Sequence, residues 1–225
     1  MVTSVVTAAP VRDRNLPSPL PVGCVSAAVV LVAGATLQLI EELIEPPFAT
    51  DTERFSWLAQ HTTLHAVDVG IGLAAIPLLV ASVLLLVRLA GRMPRLARTG
   101  AAICVVGFCG LAAVHGFEYA ELAMLDAGVS PATVGAAAAT VQPAIGIPFL
   151  ASFIGALSVG LPLLLIALWR SRGVPRGAIV TAFAFMALDF VGPEIPFPSH
   201  GLSFIAFTWM AISIVRPLWT SSVRD

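Results

Sequence analysis

The sequence predicts an all-α integral membrane protein, a bundle of six transmembrane helices with both termini in the cytoplasm. Of its 225 residues, 58% are hydrophobic and 11% are charged, whereas ordinary soluble domains carry about 25% charged residues. The mean hydropathy is +0.94, and apolar runs of about 20 residues, the length that crosses a bilayer, recur along the chain. No basic run indicates nucleic acid binding, so the lipid bilayer is the expected partner.

The apolar runs define the helices in chain order. They cover residues 22–44, 66–90, 97–121, 146–169, 177–192 and 200–219, which together form a predicted transmembrane domain over residues 22–219. The fifth run, GAIVTAFAFMALDFVG, is short. It is counted as spanning because, with five crossings instead of six, the last arginines of the chain would lie on the outer side of the membrane. Residues 1–21 contain several prolines and a charged RDR, so they are predicted to be a disordered cytoplasmic tail. Residues 220–225 are predicted to be a short cytoplasmic tail.

The arginines predict the orientation. Eleven of the twelve arginines fall on one side of the six-helix arrangement, in the N-terminal tail, the links after the second and fourth helices, and the C-terminus. Only Arg54 lies opposite. Cytoplasmic loops carry the positive excess, so both termini are predicted to be cytoplasmic. The lack of lysine and the wealth of Ala, Val and Gly are typical of high-GC bacteria, which predicts a multi-pass protein of the bacterial inner membrane.

The acidic residues show the opposite bias. Eleven of the thirteen belong to the outer side, namely Glu41, Glu42, Glu45, Asp51, Glu53, Asp68, Glu118, Glu121, Asp126, Asp189 and Glu194. Acids contribute little to membrane orientation, so topology does not explain their placement. All four histidines also lie toward the outer ends of helices.

These outer groups predict a cluster of histidines and carboxylates at one end of the bundle, supplied by every helix except the fourth. The principal candidates are His65, Asp68, His115, Glu118, Asp189 and His200, and the further candidates are Glu41, Glu42 and His61. About 20 Å of helix separates Asp189 from the inner arginines, a depth at which a carboxylate is costly unless it is paired or faces a cavity. Imidazoles and carboxylates together suit a divalent transition metal such as zinc, copper, iron or manganese, and they suit a proton relay equally.

The stretch HTTLHAVDVG, residues 61–70, places His61, His65 and Asp68 within about 40° of one another on one helical face. Short links make the second and third helices antiparallel neighbours. His65 and Asp68 are therefore expected to meet His115 and Glu118 within about 4 Å near the outer boundary, either directly paired or sharing an ion. His61, one turn further out, is expected at the rim and more exposed than His65.

Two other functions stay open. The protein is a structural or assembly subunit if its polar helix ends merely satisfy one another. A metal-dependent membrane hydrolase is the second alternative, but no motif supports it: Pro46 stands where the EExxxR pattern of prenyl-protein membrane proteases has arginine. An enzyme is therefore not favoured. A b-type haem needs two facing histidines, such as His115 and His200, and since nothing else marks a haem pocket, haem is not expected.

The first apolar helix ends in QLIEELIEPP, the segment DTERFSWLAQH follows, and the later apolar helices are split by arginine links. This pattern resembles small polytopic membrane proteins common in high-GC bacteria, over about residues 22–125. The resemblance implies a multi-pass membrane fold and brings no known activity. The function has therefore to be argued from the outer cluster itself.

Overall fold

The computed structural model describes residues 22–191 and 198–222, and every regular element in these ranges is helical. The eight α-helices of these ranges are α1 (Val22–Ile44), α2 (Asp51–Gln60), α3 (Thr62–Leu89), α4 (Pro94–Asp126), α5 (Pro131–Val141), α6 (Ile147–Ser171), α7 (Arg176–Val191) and α8 (Ser199–Ser222). A π-helical turn, Gln142–Gly146, joins α5 to α6. The predicted all-α class is confirmed, while the predicted tail at 1–21 and the last residues, 223–225, lie outside the described residues.

Six of the described helices form a closed ring that follows the order of the chain. α1 packs against α3, α3 against α4, α4 against α6, α6 against α7 and α7 against α8, and α8 returns to α1. α3 also touches α6 across the interior of the ring. Fully buried side chains such as Leu86, Leu164 and Met210 form the core. Because the ring closes, polar groups on different helices can face a shared interior space.

Four helical segments in the described ranges are long and apolar enough to cross a membrane. They are Cys24–Ile44, Thr62–Leu89, Pro94–Asp126 and Pro131–Ser171, the last of which combines α5, the π turn and α6. α7 has 16 residues, which cover about 24 Å and fall short of a hydrocarbon core of about 30 Å. α8 begins on the polar Ser199 and His200. The helices support a multi-pass membrane protein, and crossings by α7 and α8 stay a prediction.

α4 and α6 approach each other until their backbones touch. A Cβ added to Gly100 would lie 2.6 Å from the carbonyl oxygen of Gly160, and a Cβ added to Gly160 would lie 2.8 Å from that of Gly100. One added to Gly110 would collide with the hydroxyl of Ser152. Small residues at such positions let membrane helices pack closely, where lipid provides no hydrophobic drive for association. This contact fixes the position of α4, which carries two of the predicted site residues.

The two short helices, α2 and α5, were not among the predicted apolar segments. They pack against each other and against α4 at one end of the bundle. Their shared core is a small cluster of Phe55, Leu58, Leu125 and Val134. Because Leu125 lies at the end of α4, this pair of helices covers the end of the bundle where the acidic residues of α4 lie. We call it the α2–α5 cap.

The two links between long helices meet at the end of the bundle opposite the cap. A Cβ added to Gly173, between α6 and α7, would collide with the carbonyl oxygen of Leu89 at the end of α3. The links that carry Arg92 and Arg172 therefore lie side by side. Links on a shared side of the membrane are what the arginine pattern predicts.

Candidate functional site

The ring encloses a cavity of about 440 Å³ whose lining changes in character along its length. The end nearest the cap is lined by polar side chains, namely Gln38, Glu41, Glu42, Glu45, Asp68, Glu118, Asp189 and His200. We call this part the acidic end. The deeper part, the apolar shaft, is lined mainly by Leu79, Val83, Cys104, Phe108, Leu111, Phe153, Leu157, Leu161, Phe185 and Phe207. The carboxylates that the sequence places on separate helices thus face one interior space.

The nine predicted site residues divide into three groups. Six of them line the cavity, namely Glu41, Glu42, Asp68, Glu118, Asp189 and His200. His65 and His115 are buried, with only 1% and 4% of their surfaces exposed. His61 is exposed. As expected, His61 lies at the rim and is more exposed than His65.

His115 on α4 lies between two carboxylates. Its Nδ1 lies 2.7 Å from Oε2 of Glu118, and its Nε2 lies 3.4 Å from Oε1 of Glu41 on α1. The imidazole ring of His115 fits at this position because the residue opposite it on α3 is Gly72, where a Cβ would lie 2.5 Å from the imidazole Cε1. The amide of Gln38 donates a hydrogen bond of 2.7 Å to the other oxygen of Glu41. The imidazole is therefore hydrogen-bonded to Glu118 and lies beside Glu41, while its Nε2 has no hydrogen-bond partner among the described residues.

Asp68 and His65 on α3 are buried without the partners that the sequence led us to expect. Asp68 is 7% exposed and lines the cavity, and its Oδ1 has no hydrogen-bond partner among the described residues. Neither ring nitrogen of His65 has one either. Within the described part of the chain, no ion pair joins these two residues to His115 or Glu118, so the predicted direct pairing is wrong. The α3 residue opposite His115 is Gly72, and Asp68 lines the cavity instead of contacting His115.

Arg54 on α2 is the residue that the sequence analysis missed. Its Nη1 lies 3.2 Å from Oε2 of Glu121, its Nε 3.4 Å from Oε1 of Glu45, and its Nη2 4.0 Å from Oε1 of Glu118. Burial would lower the pKa of Arg54, but the carboxylates of Glu121, Glu45 and Glu118 outweigh it and leave that pKa raised. The cap thus places a permanent positive charge beside the acidic end, where Arg54 lines the second pocket rather than the central cavity. The signal was present in the sequence, since Arg54 is the one arginine among the outer acids.

A second cavity, of about 320 Å³, lies beneath the cap beside Arg54. Glu45 and Glu118 line both this pocket and the acidic end of the central cavity. Asp51, which is exposed at the start of α2, also lines it. The carboxylates of Glu45 and Glu118 therefore separate an outer pocket from the central cavity.

Glu42 joins α1 to the beginning of α8. Its Oε1 accepts hydrogen bonds from the backbone N–H of Ser199 at 2.8 Å and from the Ser199 hydroxyl at 3.1 Å. Its Oε2 accepts from the backbone N–H of His200 at 3.0 Å and lies 3.3 Å from the His200 Nδ1. The Ser199 hydroxyl also lies 2.9 Å from Oδ1 of Asp189, so its single hydrogen is shared between the two carboxylates. A carboxylate at a helix N-terminus satisfies free N–H groups and complements the helix dipole, so this group has a structural role.

His61 lies between α2 and α3 rather than within one helical face. It ends α2 and begins α3, and its ring stacks on Trp57 with centroids 4.5 Å apart. Its Nδ1 lies 2.9 Å from the carbonyl oxygen of Trp57. The chain bends here, so the predicted single face through His61, His65 and Asp68 is interrupted, and His61 belongs to the cap.

The described side chains are not grouped as a divalent transition metal requires, and the metal stays a prediction. Such an ion needs three or four donors converging on one point at about 2.0–2.3 Å. In residues 22–191 and 198–222, no three His, Cys, Asp or Glu side chains are grouped in that way. Glu41 and Glu118 lie against opposite nitrogens of His115, and the oxygens of Glu42 face α8. These geometries suit shared protons rather than a common metal centre.

Comparisons with known proteins assign no family. No protein-family model, no curated protein and no solved structure matches the chain. The resemblance to small polytopic membrane proteins of high-GC bacteria therefore stays a prediction. The function has to be argued from the cavity and the charges around it.

Proposed function

We propose that this protein is a multi-pass protein of the bacterial inner membrane that transfers protons between the outer pocket and the central cavity. One observation carries the proposal: His115 has a carboxylate against each ring nitrogen, Glu118 at 2.7 Å and Glu41 at 3.4 Å. An imidazole can accept a proton on one nitrogen and release one from the other. Glu118 lines both cavities and Glu41 lines the central one, so the three groups form a path between them.

The contact between His115 and Glu118 requires a proton. At 2.7 Å the nitrogen and oxygen form a hydrogen bond, and the hydrogen belongs either to the imidazole or to the carboxyl group. Arg54 approaches the other oxygen of Glu118 at 4.0 Å. Asp68 offers a further acceptor, because it lines the cavity into which Glu41 would release a proton and its Oδ1 has no hydrogen-bond partner among the described residues.

Proton flux into liposomes tests this function. Under this proposal, protons that reach the central cavity pass along the shaft to the opposite side of the membrane. With a potassium diffusion potential and an entrapped pH-sensitive dye, the purified protein should therefore conduct protons above the rate of protein-free liposomes. His115→Gln should lower this rate at least about tenfold, because an amide cannot take up and release a proton at two nitrogens. His61→Gln is the matched control, since His61 is exposed at the cap, and it should conduct like the wild type. Equal rates for all three proteins would contradict the proposal.

The proposed orientation has six crossings, with both termini and the arginine links inside. Single cysteines introduced in a background without Cys24, Cys104 and Cys109 test it. Cysteines within 50–56 and 128–135 should react with an impermeant thiol reagent added to intact cells, whereas those within 92–96 and 171–175 should react only after lysis. Labelling at position 52 from the cytoplasmic side would reverse the orientation.

A structural or assembly role is the second candidate. The observation that favours it is Glu42, whose two oxygens are occupied by the first residues of α8. If the polar side chains at the helix ends served only to join the helices, we would expect each buried polar atom beside the cavity to have a hydrogen-bond partner. Asp68 lines the cavity, and its Oδ1 has no partner among the described residues. Proton transfer gives this carboxylate the role of a proton acceptor.

A further inference from the structure

Proton transfer among His115, Glu118 and Glu41 does not explain why the shaft is elongated and lined by apolar side chains. Asp68 and Ser82 both line the cavity on α3, and about 21 Å of helix axis separates them. On α4, Glu118, Leu111, Phe108 and Cys104 line it over about the same length. The space is thus elongated and runs along the helices. A chain-like molecule fits such a space better than a small ion does.

The lining of the shaft selects an apolar occupant. Four phenylalanines line it from four different helices: Phe108, Phe153, Phe185 and Phe207. The leucines between them come from α3, α4 and α6. Apolar pockets with a few polar groups at one end are typical of sites that bind organic molecules. The shaft therefore suits a hydrocarbon tail.

The acidic end selects the charge of the headgroup. Carboxylates of Glu41, Glu45, Asp68 and Glu118 line it, and in the described part of the chain no arginine does. Asp68 adds an observation independent of this acidic cluster, because it lines the cavity, is only 7% exposed, and its Oδ1 has no hydrogen-bond partner among the described residues. A buried carboxylate oxygen without a partner costs free energy, and a cationic group at this position would satisfy it.

We infer that the cavity binds an amphiphile with an ammonium headgroup, which lies against Asp68 and Glu41 while its hydrocarbon tail occupies the shaft. This inference rests on the proposed function only in assigning a second role to the acidic end. The polarity of such a molecule matches the cavity from end to end: the charge meets carboxylates and the tail meets phenylalanine and leucine. An anionic headgroup would face repulsion from the same carboxylates. The headgroup could belong to a single-chain amine or to a membrane lipid.

Equilibrium dialysis of the protein in phosphatidylglycerol nanodiscs tests the inference. Radiolabelled dodecyltrimethylammonium is the probe, and empty discs correct for partition into lipid. We expect saturable binding of about one probe per protein, with no competition from dodecyl sulfate. Tetramethylammonium, which lacks the tail, should bind at least about a hundredfold more weakly because it buries no hydrocarbon. Equal competition by dodecyl sulfate, or no binding beyond that of empty discs, would overturn the inference.

Two variants locate the probe in the cavity. Asp68→Asn removes the charge and should weaken binding about tenfold. Leu111→Trp places a larger side chain in the shaft and should also weaken binding of the dodecyl probe about tenfold. Its matched control is Val106→Trp, on the same helix at a position 63% exposed, which should leave binding unchanged. Wild-type affinity in both cavity variants would overturn the inference. Should Leu111→Trp not fold, the affinity of the wild-type protein for alkyltrimethylammonium probes of different tail length tests the same point.

The source of the headgroup is decided in the same experiment. Addition of phosphatidylethanolamine to the discs should displace the probe if the natural occupant is an ammonium-headed lipid, and should not if it is a single-chain amine. Either outcome supports the ammonium amphiphile and assigns its source. Failure of this inference is separate from failure of the proposed function: proton flux without saturable probe binding overturns only the inference, and probe binding without flux overturns only the proton transfer.

Discussion

Gly72→Val is expected to lower the free energy of unfolding by about 3 kcal/mol, because a side chain at this position occupies the space of the His115 ring. A Cβ would lie 2.5, 2.6 and 2.9 Å from three atoms of that imidazole. His115 is 4% exposed and held by Glu118 at 2.7 Å, so it cannot move without breaking a buried hydrogen bond. Thermal or denaturant unfolding in a mild detergent measures the change.

Gly70→Val provides the control for this prediction. Gly70 lies on the same helix, and a Cβ there would meet nothing within 4 Å, so this variant should be about as stable as the wild type. The double variant Gly72→Val with His115→Ala should recover much of the lost stability, because the smaller side chain frees the space. If Gly72→Val and Gly70→Val unfold alike, α3 and α4 do not pack through His115.

Arg54→Gln is expected to cost about 2 kcal/mol of stability at neutral pH. It leaves Glu45, Glu118 and Glu121 together without their cation, and removing one partner of a buried charged group is costly. The figure is below that for a fully buried pair because 24% of the Arg54 side chain is exposed. Unfolding curves at neutral pH measure the loss.

Arg92→Gln is the matched control, because Arg92 is exposed in the link between α3 and α4, and surface arginines contribute little to stability. The double variant Arg54→Gln with Glu121→Gln should be less destabilised than the sum of the two single variants, since it removes charge of both signs. Additive losses would show that Arg54 and Glu121 act independently, in contradiction to their 3.2 Å contact.

The long helices were predictable because their signal is local. The first predicted segment, 22–44, coincides with α1, and the others begin and end within a few residues of α3, α4, α6, α7 and α8. An apolar run of sufficient length forms a helix in a bilayer whatever its neighbours are, since backbone groups must be satisfied within the segment. The polar α2 was missed because it is stabilised by packing on α4 and α5, which hydropathy does not report. α5 belongs to the apolar segment Pro131–Ser171, of which the predicted segment 146–169 covered only the second part.

The sequence by itself determined that the protein is helical, that it suits a membrane, and that its acids and histidines gather toward one end of the helices. Only the tertiary structure decided which of them meet. Glu41 and Glu42 are adjacent, yet Glu41 contacts His115 of α4 and Glu42 contacts the start of α8. One residue turns a helix by about 100°, so adjacent side chains face different neighbours. The order of helices around the closed ring, which arises from packing between distant segments, decides which neighbours those are.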